Sequence, residues 1–144
     1  MTVRVTWGVG TREVPDEPLI AAAEAALAEG GRAGLDVDVV VVDEAGLTDL
    51  HARFLGDPTP TDVITFDLGE EGGWPAAEVY VSVDCARREG AQRGLELGRE
   101  LALYVVHGAL HLCGLDDHTP QQRVVMRAAE RRVLASLGYA PKAE

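Results

Sequence analysis

Hydrophobic and polar positions follow two periods along this chain, and the changes of period separate strands from helices. Residues Thr2 to Trp7 alternate with period two, which predicts a strand. The alanine-rich segment Asp16 to Glu29, followed by two glycines, predicts a helix with a defined end. Val37 to Val42 is a near-continuous valine run, which predicts a strand covered on both faces. The chain therefore begins with a predicted β-α-β unit.

The middle of the chain continues this alternation and adds a glycine-rich turn. Glu44 to Leu55 is amphipathic and predicts a short helix that Gly56-Asp57-Pro58 closes. Asp62 to Leu68 and Glu78 to Val83 have strand periodicity again, with a turn at Glu70 to Pro75 between them. We expect these third and fourth strands to pair across that turn.

From residue 84 onward the pattern becomes helical. Three helices are predicted, each followed by a glycine: Asp84 to Arg93, Leu97 to Cys113 and Thr119 to Leu137. The last begins with Thr119-Pro120, a threonine that can cap free amides and a proline that tolerates the first helical turn. This order of elements predicts an α+β fold, a small mixed β-sheet of about four strands packed with helices.

Composition limits the kind of protein that these elements can form. A chain of 144 residues with 47% hydrophobic and 26% charged residues is expected to be one compact globular domain. No run approaches the roughly 20 apolar residues of a membrane span, and the opening residues do not resemble a secretory signal. We therefore expect a cytoplasmic protein without a membrane partner, in which Cys85 and Cys113 are unpaired core residues.

The charge of the chain argues against bulk electrostatic attraction to nucleic acid, because the net charge is −11. The distribution is uneven, however. Residues 85 to 144 hold 9 of the 13 basic side chains but only 7 of the 24 acidic ones. A polyanion site is thus expected in the second half, unless these arginines only keep helix faces soluble.

One predicted helix combines an apolar surface with two histidines. The stretch LALYVVHGALHLC, residues 101 to 113, is apolar on every side except at His107 and His111. A helix of this kind is buried, and side chains four residues apart point the same way. The two imidazoles are either core histidines that find separate hydrogen-bond partners or ligands of one metal ion on a buried central helix.

Zinc accounts for this pair, because imidazole nitrogen is a favoured ligand and catalytic sites use three protein ligands plus an open position. In the zinc-protease pattern H-E-x-x-H-x-x-G-x-x-H the third ligand follows the second histidine by six residues. Asp117 occupies that position here, and His118 follows one residue later. The sequence favours Asp117 as the third ligand and leaves His118 as the alternative.

Residue 108 decides which reaction such a metal would serve. Zinc proteases carry a glutamate beside the first histidine as the general base, whereas this chain has Gly108. A peptidase is therefore disfavoured. A glycine inside a helix also costs about 1 kcal/mol relative to alanine, which indicates that close backbone approach is needed there. A metal with an open position remains, and it suits phosphodiester hydrolysis.

The stretch HGALHLCGLDDH, residues 107–118, resembles the H-G-x-L-H-L-x-G-[YF]-D-H signature of the YbeY family of bacterial rRNA-maturation endoribonucleases. Residues 60–66 (PTDVITF) and 78–83 (EVYVSV) are similar to two further blocks of that family. The resemblance implies a single YbeY-like metal-dependent hydrolase domain over residues 1–144, with an α+β fold and one Zn²⁺ per chain. It also implies cleavage of single-stranded RNA in ribosomal RNA maturation and ribosome quality control, with the ribosome or its small subunit as partner.

The chain departs from the family pattern at three positions. The third family histidine falls on Asp117, and the gapless register to Met126 supports Asp117 over His118. The family tyrosine after the glycine is Leu115 here. The family's catalytically implicated arginine falls on Leu55, so no catalytic side chain is assigned. Arg53 would replace that arginine only if the end of its helix unwinds, because it points nearly the opposite way.

These departures leave a second hypothesis open, a non-catalytic ribosome-associated zinc-binding factor. Structural zinc sites usually have four protein ligands. Joint ligation by Asp117 and His118 would therefore favour this alternative.

Two groups of arginines are further candidates. Arg87, Arg88 and Arg93 either line an RNA path or serve solubility. A second group recurs at four-residue spacing and more simply forms an exposed helix face: Arg123, Arg127 and Arg131. Asp116 is a candidate for orienting a ligand histidine.

Overall fold

Strands and helices follow one another along residues 2–56 and 61–139, the part of the chain that this computed structural model describes. They are β1 (Val3–Trp7), α1 (Asp16–Glu29), β2 (Val37–Val42), α2 (Glu44–Leu55), β3 (Val63–Asp67), a 3-10 turn (Glu70–Gly72), β4 (Ala77–Ser82), α3 (Val83–Arg93), α4 (Leu97–Leu112) and α5 (Pro120–Ser136). Each predicted helix and strand is present, and its ends lie within one residue of the prediction. Asp57-Pro58 and Pro60, named in the sequence analysis, fall outside the described residues.

The strands form one mixed sheet with the order β1-β2-β4-β3. β2 pairs in parallel with both β1 and β4, and β3 pairs antiparallel with β4. The parallel β1-β2 pair confirms the predicted β-α-β unit, and the β3-β4 pair confirms pairing across the glycine-rich turn. With its helices, the sheet confirms the α+β fold, and it places β3 at one edge.

The two faces of the sheet are covered unequally. Val37, Val39 and Val41 of β2 are fully buried, but Val40 and Val42, which point to the opposite face, are only half-buried. The prediction that this strand is covered on both faces is therefore wrong. The physical reason is that α1 and α4 cover one face, whereas the shorter α2 reaches the other face over β3 and β4, where Phe54 meets Phe66.

Helix α4 is the centre of the structure, because it packs against α1, α3, α5, β3 and β4. Its contact with the sheet is closest at Gly108. A β-carbon at this position would lie 2.6 Å from Cγ1 of Val79 and 3.1 Å from Cγ2 of Val63. The close approach that the helical glycine indicated is thus present, and it fixes the position of α4 against β3 and β4.

Helix α5 begins with a complete capping box. The Thr119 side chain accepts a hydrogen bond from the backbone N–H of Gln122, and the Gln122 side chain accepts from the backbone N–H groups of Thr119 and His118. The box fixes the start of α5 directly after the loop that carries Asp117. Residues 117 and 118 therefore have a defined backbone position.

The structure also tests the expectations for the two cysteines and for a membrane span. Cys85 and Cys113 are both free thiols, the first buried and the second partly buried. In the part of the chain that the structure describes, no helix is both long and apolar enough to cross a membrane.

Substituting Gly108 with alanine tests the close approach of α4 to the sheet. Alanine favours a helix by about 1 kcal/mol, but overpacking costs typically about 1–3 kcal/mol. We expect Gly108→Ala to lower the free energy of unfolding by up to about 2 kcal/mol in urea denaturation, and to be less stable than an alanine variant without this contact by about 1–3 kcal/mol. The matched control is Gly98→Ala in the same helix, where the nearest atom would be 3.7 Å away and stability should not fall. Equal stability of the two variants would contradict this packing.

Candidate metal centre

His107 and His111 lie one turn apart on α4 and direct the same ring atom toward each other. Their Nε2 atoms are 3.0 Å apart, and the rings are nearly perpendicular, with an angle of 81° between their planes. The side chains are 16% and 22% exposed, so both are mostly buried yet reachable from solvent. Two nitrogen lone pairs this close repel each other unless a proton or a metal ion lies between them.

Asp117 brings a carboxylate to the same point from the loop between α4 and α5. Its Oδ2 is 3.3 Å from Nε2 of His107, and its Oδ1 is 3.8 Å from Nε2 of His111. One ligand atom from each of the three side chains lies within 4.8 Å of the others. His118 does not join them: its side chain is 80% exposed, and its Nε2 lies 3.9 Å from Oδ1 of Asp116.

The loop reaches the histidines because α4 stops at a glycine. Gly114 has a left-handed backbone, with φ of +98°, which a residue with a side chain rarely adopts. The N–H of Leu115 then donates to the carbonyl of Leu110, which turns the chain back over the last helical turn. This turn returns Asp117 to the face that carries the histidines.

Glu130 of α5 supports the site, and the sequence analysis missed it. Its Oε2 lies 2.5 Å from Nδ1 of His107, and its side chain is only 5% exposed. A carboxylate on Nδ1 holds the proton there and leaves the Nε2 lone pair for a metal. The sequence does contain an indication of this role. Glu130 shares the apolar face of α5 with Met126 and Val133, and a buried carboxylate needs a polar partner.

The electrostatics of the two imidazoles differ. Burial acts to lower the pKa of His107, but the hydrogen bond and charge of Glu130, together with the charge of Asp117, raise it above its ordinary value. Burial lowers the pKa of His111, and the neighbouring His107 lowers it further. A metal ligand must be a neutral imidazole, so a metal ion and a proton would compete for Nε2 of His107.

The donor set fits a metal ion. Two imidazole nitrogens and a carboxylate oxygen converge on one point, and the histidine nearest Glu130 has its tautomer fixed by that carboxylate. Within residues 2–56 and 61–139 the cluster has three protein ligands, and a metal held by three ligands keeps a coordination position open for another molecule. Asp116 lies 3.8 Å from Nδ1 of His111, a charge contact longer than a hydrogen bond.

The position of the family arginine carries no cation. Leu55 is the last residue of α2 and is 55% exposed. Arg53 is 65% exposed and pairs with Asp49 at 3.3 Å on the same helix. Since α2 stays helical through Leu55, the unwinding that Arg53 would need is not found.

The candidate arginines on α3 all have acidic partners. Arg87 contacts Glu13 and Asp84, Arg88 contacts Glu44, and Arg93 contacts Glu89 and the fully buried carboxylate of Glu100. These ion pairs favour a structural role over an RNA path for this group.

Two arginines of α5 are exposed, as the sequence favoured, and they also contact residues of the candidate site. Arg127 is 59% exposed, and its Nη1 lies 3.3 Å from Oε1 of Glu130. Arg123, also exposed, donates to the backbone carbonyls of Asp117 and His118. The helix therefore turns part of its basic stripe toward the ligand loop.

This fold and this cluster define an α+β protein with a candidate metal centre on its central helix. Residues 11–138 match the profile of the family described as Endoribonuclease YbeY. The chain belongs to the YbeY family.

Individual relatives agree with this assignment. The chain is 36% identical to Endoribonuclease YbeY of Mycolicibacterium smegmatis over 110 residues, which cover 69% of this chain and 62% of that protein. It is 35% identical to Endoribonuclease YbeY of Moorella thermoacetica over 125 residues, which cover 79% and 80%. The solution structure of TM1509 from Thermotoga maritima is similar in fold, with a TM-score of 0.58, 22% identity and 99% of each chain covered.

Removing the carboxylate on His107 tests the role of Glu130. We expect Glu130→Ala to weaken Zn²⁺ binding about 10–100-fold, because nothing then fixes the imidazole tautomer. Isothermal titration calorimetry with Zn²⁺ measures this change. The matched control is Glu29→Ala, which removes the same charge from a carboxylate that pairs with Arg132. Wild-type affinity in Glu130→Ala would show that the contact does not support metal binding.

Proposed function

We propose that this protein is a zinc-dependent endoribonuclease that cleaves single-stranded RNA in ribosomal RNA maturation and ribosome quality control. The single observation that carries the proposal is the convergence of His107, His111 and Asp117, whose ligand atoms lie within 4.8 Å of one another. Family membership supports the reaction, because the relatives are named endoribonucleases. Residues 1–144 act as one domain in the cytoplasm, with single-stranded rRNA and the ribosome or its small subunit as partners.

Zinc is the metal that these donors suit, since imidazole and carboxylate are among its usual ligands and three protein ligands are typical of its catalytic sites. His107, His111 and Asp117 would hold one ion per chain. When bound, zinc supplies a Lewis acid that polarises a phosphoryl oxygen and lowers the pKa of water.

The side chains of this protein prepare that centre. Glu130 holds the proton of His107 on Nδ1 and so keeps Nε2 available. Gly108 leaves room for the sheet and offers no carboxylate that could take a proton, unlike the glutamate of zinc proteases. The site thus lacks the base that zinc proteases use at this position for amide hydrolysis. It keeps a metal-binding cluster, which suits phosphodiester hydrolysis.

The alternative, a non-catalytic ribosome-associated zinc-binding factor, draws its support from Leu55 at the position of the family arginine. A structural site would close with a fourth protein ligand. His118 was the candidate for that fourth ligand, and its side chain is 80% exposed and turned toward Asp116 instead. The open position therefore favours the enzyme.

Substituting one ligand and its exposed neighbour tests the proposal. We expect His111→Ala to lose zinc and RNA cleavage together, because two ligands do not hold the ion in place. His118→Ala is the matched control and should keep about one zinc per chain and its activity. Zinc content by elemental analysis and cleavage of a single-stranded ribosomal RNA fragment are the measurements.

Two results would contradict the proposal in different ways. Loss of zinc in His118→Ala would show that the ligand set is wrong. A wild-type protein that holds zinc but never cuts RNA, even with ribosomes present, would favour the non-catalytic factor.

A further inference from the structure

Arg123 places a guanidinium beside the loop that carries the candidate acidic ligand. Its Nη1 lies 3.3 Å from the carbonyl oxygen of Asp117 and 3.2 Å from that of His118. The carboxylate of the same Asp117 lies 3.3 Å from Nε2 of His107. The guanidinium therefore contacts the backbone of the residue whose carboxylate joins the two histidines.

The charge of Arg123 is not compensated by a carboxylate within residues 2–56 and 61–139. Both of its contacts there are with neutral carbonyl groups. A guanidinium has five N–H donors in a planar fork, and the contacts with the loop use one nitrogen. The remaining donors, on Nε and Nη2, stay available for an anion.

Most other arginines of the described chain form an ion pair with a carboxylate, unlike Arg123. Arginines with a carboxylate partner are Arg12, Arg32, Arg53, Arg87, Arg88, Arg93, Arg127 and Arg132. Arg4 lies over the ring of Trp74 at the far edge strand β1. Arg99 precedes His107 by eight residues, which is about 12 Å along α4.

Exposed negative charge lies beside the candidate centre. Asp116 is 54% exposed next to the mostly buried histidines, and Asp117 contributes a second carboxylate. Leu55 supplies no cation, and Arg53 is occupied by Asp49. The two carboxylates offset part of the charge that a bound metal ion would supply, so a further positive group beside the centre would strengthen binding of the phosphodiester.

We infer that Arg123 is a substrate-binding residue that holds a phosphate of the RNA beside the candidate metal centre. The planar fork of arginine matches the oxygens of a phosphate. The loop carbonyls anchor one side of the guanidinium and leave its other side to the ligand. This inference rests on the proposed endoribonuclease function.

Arg123 could instead serve only to hold the ligand loop. In that case its removal would displace Asp117 and lower zinc content, and RNA binding would fall as a consequence. A residue that binds phosphate affects RNA binding and its salt dependence while zinc content stays unchanged. Zinc content and salt dependence together separate the two roles.

The experiment compares Arg123→Gln with wild type, Arg123→Lys and Arg132→Gln. Arg132→Gln is the matched control, because it removes one charge from the same helix at an arginine that pairs with Glu29. Zinc content is measured for each protein. Binding of a 2′-O-methyl single-stranded RNA, which is checked by electrophoresis to stay intact during the measurement, is then followed from about 50 to about 200 mM salt.

We expect Arg123→Gln to keep its zinc, bind the RNA about 5–10-fold more weakly at low salt and reduce the salt slope by about 0.7–1. Arg123→Lys should keep the slope but not the full affinity, since it retains the charge and loses the fork. Arg132→Gln should match wild type in all three quantities.

Unchanged affinity and slope in Arg123→Gln would overturn the inference. Loss of zinc in both Arg123 variants would overturn it too, since the residue would then only hold the loop. Failure of the zinc-loaded wild type to bind RNA would instead overturn the proposed function, so the two failures are distinguishable.

Discussion

The candidate centre depends on the contact between α4 and the sheet at Gly108. Only a residue without a side chain lets the helix backbone come within reach of Val63 and Val79, where a β-carbon would be 3.1 Å and 2.6 Å away. This contact fixes the rotation of α4. The rotation in turn decides that His107 and His111 face the loop from α4 to α5 rather than the apolar interior.

Polar contacts from α5 then fix the orientation of the side chains and the loop at the candidate centre. The carboxylate of Glu130 is almost fully buried, so it needs both of its partners, His107 on one oxygen and Arg127 on the other. Arg123 contacts the carbonyl groups of the loop. Helix α5 therefore sets the tautomer of His107 and places a positive charge beside the loop that carries Asp117. A chain with a net charge of −11 obtains a local positive group in this way, where an RNA substrate would need it.

The sequence predicts what is local and leaves out what depends on the packing of separate elements. The ends of helices and strands follow from periodicity and from glycine or capping residues, and the predicted ends lie within one residue of those in the structure. The proximity of His107, His111 and Asp117 follows from helical spacing and one short turn. Glu130 could not be placed, because its partner is 23 positions earlier and the pairing depends on how α5 crosses α4. The prediction that β2 is covered on both faces was wrong for the same reason, because coverage of the second face depends on where the short helix α2 lies.

The coordination of zinc in the purified wild-type protein is the measurement that tests the central claim most directly. X-ray absorption at the zinc K-edge reports the type and distance of the ligands. We expect about one zinc per chain, with two imidazole nitrogens and oxygen ligands at roughly 2.0–2.2 Å. Three imidazoles would point to His118 as a ligand, and a sulfur at about 2.3 Å would point to a cysteine. Either result would contradict a centre made by His107, His111 and Asp117.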